Sequence, residues 1–308
     1  MAAAIGRIIV MLNNAVRFFL FVFVFSFLFS ILPLSAHAQT GLPADVHKAG
    51  WTLTFDDEFN ENNLDLSRWN ITNGPSYINQ EQQYYTPGSV KIAHGFLRIT
   101  TKNRGYKGRQ YTSGQITTLG KFSQKYGWFE AKIRFPTTVG LWSCVYLLPE
   151  SGAWPPEIDI AEYLTKTPQE LYLTNHWRGT DYRHWQLNSY LSEPDIDFTK
   201  WHVYAVDWEK ESVQWYMDGH LVATTISSPD PSLSTVTWFV DGRSVGSAPS
   251  SSIGPPNSPA VSVSAVPMYI RINDCIGIFG GDAAPGPWPQ YFDVKYVRAY
   301  KRIYEHRH

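Results

Sequence analysis

The residues best suited to chemistry lie in one six-residue run, Glu157-Ile158-Asp159-Ile160-Ala161-Glu162, where three carboxylates alternate with apolar side chains. Alternation of this kind is the pattern of a β-strand, in which Glu157 and Asp159 point to one face. Glu162 lies five positions after Glu157, and strict alternation would turn it to the other face. One extra residue held as a β-bulge restores it to its partners, and Ala161 is the expected extra residue. Acids are depleted from strands, and their mutual repulsion is a cost, so structure alone gives no reason for three of them here. Cleavage of an acetal such as a glycosidic bond does give one. It needs two carboxyl groups in different protonation states, one to attack carbon and one to protonate the leaving oxygen. A retaining enzyme holds them roughly 5–5.5 Å apart. Strand rise puts the Cα atoms of Glu157 and Glu162 roughly 13 Å apart, a gap that two inward-leaning Glu side chains can close. Asp159 between them would hydrogen-bond a neighbour, and crowding should raise at least one pKa. The competing readings are a calcium site and a solvated acidic edge. Calcium loops draw on several oxygen ligands from Asn, Asp and Gly, whereas here Ile158 and Ile160 point into a core, which favours catalysis.

The elements that must position this run read as strands. Trp51–Phe55, Phe96–Thr100, Trp128–Phe135, His202–Trp208 and Val294–Tyr300 all alternate with period two. Turn signals separate them at Asn73-Gly74-Pro75, Pro87-Gly88, His94-Gly95 and Asp218-Gly219. No stretch longer than about ten residues carries a helical period. The expected fold class is all-β, a two-sheet antiparallel β-sandwich. Residues Val213 to Val222, with an Asp-Gly at the centre, recur in pattern as Val236 to Val245, and each copy reads as a hairpin. Chance and local duplication both remain open. Gly246 to Pro259 is rich in Ser, Pro and Gly and reads as a mobile loop, either a rim of the cleft or an inert insertion.

The N-terminus carries Arg7 and Arg17, an apolar run from Phe18 to Leu34 and then Ala36-His37-Ala38. This is the pattern of a secretory signal peptide over residues 1–38, cut before Gln39; an uncleaved membrane anchor is the alternative. Residues 39–308 then form a single domain, secreted or periplasmic, with no membrane attachment after cleavage. A formal net charge of −1 without like-charge runs gives no support for nucleic-acid binding. The 12 Trp exceed what a core usually requires, and Trp and Tyr stack on sugar rings as readily as they fill sandwiches. Cys144 and Cys275 permit a disulfide in an exported protein, or two buried thiols.

Glu-Ile-Asp-Ile-Ala-Glu-Tyr at 157–163 resembles the signature of glycoside hydrolase family 16, in the bulged form of its laminarinase-like, endo-β-1,3(4)-glucanase branch. Asp57–Asn60, Asn79–Thr86, Tyr111–Thr118, Tyr126–Ala131, Gly140–Trp142, Asn175–Trp177, Trp201–Trp208 and Tyr296–Tyr300 also resemble the family, in its order. The resemblance implies a concanavalin A-like jelly roll with an open cleft on its concave sheet. It implies a polysaccharide as partner, no cofactor, and double displacement with retention. Carried over by position, Glu157 is the nucleophile, Glu162 the acid/base and Asp159 the assisting acid. His176 matches a position near the acid/base, and Asn79, Trp142 and Gln115 match positions that contact sugar. Trp154 and Trp177 flank the site in sequence and are further substrate-binding candidates; filling the core is the alternative for either. Many members hold calcium with an Asp in the last strand; Lys295 stands there, so no metal is expected. Gln115 replaces a common Arg, Tyr146 a Trp, and Asp274 an apolar residue. The implied activity is that of a monomeric endo-β-glycanase cutting β-1,3 or β-1,3-1,4 glucan or a related exopolysaccharide. A transglycosylase on the same linkages is the alternative, followed by a non-catalytic glucan-binding module and an enzyme of sulfated galactans.

Overall fold

In the computed structural model, the described residues are 50–179, 182–192, 195–227, 235–240, 243–249 and 262–303. The expected signal peptide lies outside them. Nearly every apolar alternation becomes a strand, and the strands assemble into two large antiparallel sheets. A seven-stranded sheet runs in the order His184–Ser192, Glu170–Arg178, Glu157–Leu164, Leu141–Pro149, Met268–Ile276, Gln115–Thr117, Asn70–Ile71. The ten-stranded sheet is centred on Gly127–Arg134, which lies between His202–Trp208 and the long Gln290–Arg302 strand. Trp51–Asp57 and Phe96–Thr101 both pair with Gln290–Arg302.

The two sheets meet in one core. Val145, Leu147, Ile158, Ile160, Ala161, Ile270 and Ile272 come from the first sheet, and Phe129, Ala131, Ile133, Val206, Trp208 and Trp215 from the second. Burying apolar side chains of this size stabilises by roughly 1.5–3 kcal/mol each before entropy is charged. One polar tie crosses the core: the Trp215 indole N–H donates to the Asp159 carbonyl at 2.7 Å. That bond fixes the backbone of the acidic strand to the opposite sheet.

Among the described residues the only helical pieces are short 3-10 turns, including Ile78–Gln80, Pro87–Ser89 and Ile278–Gly280. None is long and apolar enough to cross a membrane. His94-Gly95 and Asp218-Gly219 turn with positive φ at both residues, the geometry that two-residue hairpins demand. The two related segments both form hairpins, Ser212–Met217 with His220–Ile226 and Thr235–Val240 with Arg243–Pro249.

Three expectations need correction. Gly74–Pro75 is not a turn but a short strand paired with Gln83–Tyr85, because a Pro on an edge strand needs to donate no ladder bond. The segment expected as a loop from Gly246 begins in a strand, since Gly246 to Pro249 complete Arg243–Pro249; its remainder lies outside the described residues. The extra residue of the acidic strand is Ile160 rather than Ala161. Across from it, Val145 pairs with Ala161 and Tyr146 with Asp159, which leaves Ile160 without an opposite. Ile160 and Ala161 both enter the core, so consecutive side chains share one face at the bulge.

Candidate active site

The bulge divides the acidic strand into two faces. Ile158, Ile160, Ala161 and Tyr163 join the core, while Glu157, Asp159 and Glu162 stand together on the outer face of the seven-stranded sheet. Register then decides their company. One cross-strand row reads Gln115, Asn273, Cys144, Glu162, Tyr172. The next reads Thr117, Arg271, Tyr146, Asp159. Glu157 pairs with His176.

Each acid has a distinct environment. The Trp142 indole N–H donates to Glu162 Oε1 at 3.0 Å, and Cys144 Sγ lies 3.7 Å from the same oxygen. Burial holds the Glu162 carboxyl well above the usual carboxylate range, and the charges of Asp159 and Glu157 push it further. Asp159 is buried, and desolvation together with the Glu157 carboxylate raises it well above its ordinary value too. Its Oδ2 is 3.0 Å from His176 Nε2. Glu157 accepts a short hydrogen bond from the indole of Trp154. Donor atoms of Glu157, Asp159 and His176 all lie within 4.8 Å of one another. Two carboxyls inclined to hold protons thus sit beside a third that accepts from an indole, an arrangement suited to splitting acid and nucleophile roles.

The other expected residues separate into those on this face and one that is not. Trp142, Trp154 and His176 contact the acids directly. Gln115 is on the same face, where its amide donates to Thr72 Oγ1 at 2.7 Å. Asn79 is on an exposed turn with φ of 52°, packed against Gly277; the next turn carries Phe279, whose ring meets Trp142 edge-on at 4.9 Å. Asn79 therefore belongs to the Trp142 end of the site. Trp177 does not join it. It follows His176 on one strand, so alternation turns its ring to the opposite face, where it is buried. Asp274 likewise points inward and accepts from Ser143 at 2.7 Å and from Thr101, with its pKa pushed up to about 6 by burial. It does not line the site. Cys144 and Cys275 are both free and buried on the outer-face rows.

Two residues were not anticipated. Arg271 lies across from Tyr146 with its guanidinium 5.8 Å from that ring, and it donates to the Tyr269 hydroxyl at 2.7 Å. A lone Arg alternating with Tyr269 and Asn273 in an apolar strand was the signal for it. His184 Nε2 is 2.9 Å from His176 Nδ1, with its ring 4.4 Å from Trp154. No motif marks it, because a strand-to-strand connection separates it from His176. On the far sheet, Lys295 Nζ donates to the Gly95 carbonyl at 2.5 Å, so an ammonium stands where the resemblance placed a calcium ligand.

The family model for glycosyl hydrolases family 16 matches residues 78–234. A beta-glucanase of Rhodothermus marinus is 34% identical over 189 residues, covering 56% of this chain and 64% of the relative. Glucan endo-1,3-beta-glucosidase A1 of Niallia circulans is 29% identical over 293 residues, covering 85% of this chain and 39% of the relative. The chain thus spans under two thirds of the length of either relative. Among solved structures, the laminarinase of Rhodothermus marinus superposes with a TM-score of 0.65 at 27% identity, covering 82% of this chain and 98% of that one. The laminarinase of Flavobacterium sp. UMI-01 gives 0.62 at 28% identity, covering 81% and all of that chain. The sandwich, the bulged acidic strand and these matches agree: the chain belongs to glycosyl hydrolases family 16.

Proposed function

We propose that this protein is an exported, monomeric endo-β-glycanase that hydrolyses β-1,3 or mixed β-1,3-1,4 linkages of a glucan or related exopolysaccharide, with retention. The observation that carries this reading is the bulge. It delivers three carboxyls to one face, two of which are held toward the protonated form. Glu157 is the nucleophile. It would attack the anomeric carbon, and the Trp154 N–H aligns it. Glu162 is the acid/base: protonated at the start, it gives its proton to the leaving oxygen, then takes one from the water that releases the glycosyl-enzyme. Burial and the Glu157 carboxylate raise the Asp159 pKa, which disfavours a further negative charge between them. Trp142 and Trp154 flank the acids and offer ring faces to sugar. The relatives named as glucanases and laminarinases support a β-glucan as substrate.

The test is a panel of laminarin, lichenan, xyloglucan, agarose and carrageenan with products read by mass. Internal cleavage of laminarin or lichenan, giving short oligosaccharides of the β-anomer first, is expected. Exclusive action on a galactan, or products longer than the substrate's own fragments, would replace the reading with a galactanase or a transglycosylase. Glu157→Ala should remove cleavage of every accepted polysaccharide while the melting transition persists.

A further inference from the structure

Glu157, Asp159 and His176 bring two carboxylates and one imidazole together on the outer face of the seven-stranded sheet. Their donor atoms lie within 4.8 Å of one another. These are not loose surface acids: the side chains of Asp159 and His176 are only 1% and 13% exposed. Asp159 Oδ2 faces this cradle, while its buried Oδ1 has no hydrogen-bond partner among the described residues. His176 Nε2 faces Asp159 Oδ2 at 3.0 Å. Around a tetrahedral zinc ion with bonds of about 2.0–2.2 Å, adjacent donors stand roughly 3.3 Å apart, so that pair needs to open by only a few tenths of an ångström. The imidazole is also set for the task. With its proton on Nδ1, His176 donates to His184 Nε2 at 2.9 Å, and Trp154 packs on that second ring. A metal-bound His is commonly oriented by such an outer partner.

We propose that this cradle is a binding site for a first-row divalent cation of the zinc type, which sits between His176 and the two carboxylates and closes the site to sugar. Two carboxylate oxygens and one imidazole nitrogen leave the fourth position to water. A mixed nitrogen and oxygen set of three prefers zinc or copper over magnesium or calcium, which take mostly oxygen and more ligands. The site is thus inhibitory, and this consequence rests on Glu157 being the nucleophile. Binding itself does not depend on that reading.

Titration calorimetry with zinc ion alone, without substrate, separates the two. One zinc per chain is expected. His176→Ala and Asp159→Asn should each weaken binding about tenfold or more, and a Cys144→Ser/Cys275→Ser double variant should keep it. Thermal melting confirms that each variant is folded, and Glu157→Gln serves as a third ligand variant if one is not. Magnesium should give no heat. No zinc binding by the native protein would overturn the proposal. So would binding that survives the ligand variants, as capture at the His202–Asp218 pair would, or binding lost only with the thiols. In the activity arm, zinc should raise KM for the accepted glucan and leave kcat unchanged. If no glycan is cleaved at all, the glycosidase reading falls while calorimetry still decides the metal site.

Discussion

Asp159 and Asp293 have side chains equally hidden, each 1% exposed, and their surroundings are opposite. Asp293 on the ten-stranded sheet is gripped by two guanidinium groups, Arg98 at 2.7 Å and Arg134 at 2.5 Å. Asp159 on the seven-stranded sheet has two further carboxylates for neighbours and a single imidazole. The first arrangement compensates a buried charge with permanent cations. The second disfavours charge and raises the Asp159 pKa. Burial alone therefore does not mark the site; several carboxyls grouped together with no permanent cation among them do.

The largest effect should come from Glu162→Gln. Loss of the acid should lower kcat on polysaccharide by about 10²–10⁴, with a smaller loss on a substrate bearing an activated leaving group. In the native enzyme, kcat/KM should fall as pH rises through the elevated Glu162 value, and Glu162→Gln should remove that limb. An unchanged limb in the variant would assign it elsewhere. Next is Asp293→Ala, which leaves two partly exposed arginines without their carboxylate and should cost about 1.5–3 kcal/mol in denaturant unfolding while kcat/KM of the folded fraction holds. A loss of activity without a loss of stability would erase the contrast between the sheets.

Asp159→Asn should act in the reverse sense. An acid whose folded pKa is raised favours folding fully below its unfolded value and loses that contribution as pH climbs toward the folded value. Removing the titration should therefore raise stability at pH 7 by about 1 kcal/mol, while activity falls. Equal melting curves at pH 4 and pH 7 for both proteins would contradict the assigned direction. Asp274→Asn should be the mildest, within about 1 kcal/mol, because Thr101 and Ser143 supply hydroxyls that can rotate to suit an amide.

Much of this was legible in the sequence because period-two alternation is a local signal. The strands around Trp128, His202 and Val294 follow from it directly. The bulge followed from counting carboxylates, but its position did not, since Ile160 and Ala161 are equally apolar and only the pairing of Val145 and Tyr146 separates them. For Trp177 nearness to the motif left both site and core open, and strand alternation, which also puts Asp274 inside, decides for the interior. Arg271 and His184 depend on strand order and on diagonal contact across strands, which no linear pattern encodes. The cysteines illustrate the same limit: Trp142 pairs with Cys275 and Cys144 with Asn273, so the two thiols are diagonal rather than opposed.

The most direct measurement is to trap the glycosyl-enzyme with a 2-deoxy-2-fluoro β-glucosyl or laminaribiosyl donor and locate the adduct by peptide mass mapping. The account predicts a single added sugar on Glu157, absent from Glu157→Ala and still present in Asp159→Asn. An adduct on Glu162 or Asp159, or turnover with inversion and no adduct, would contradict it.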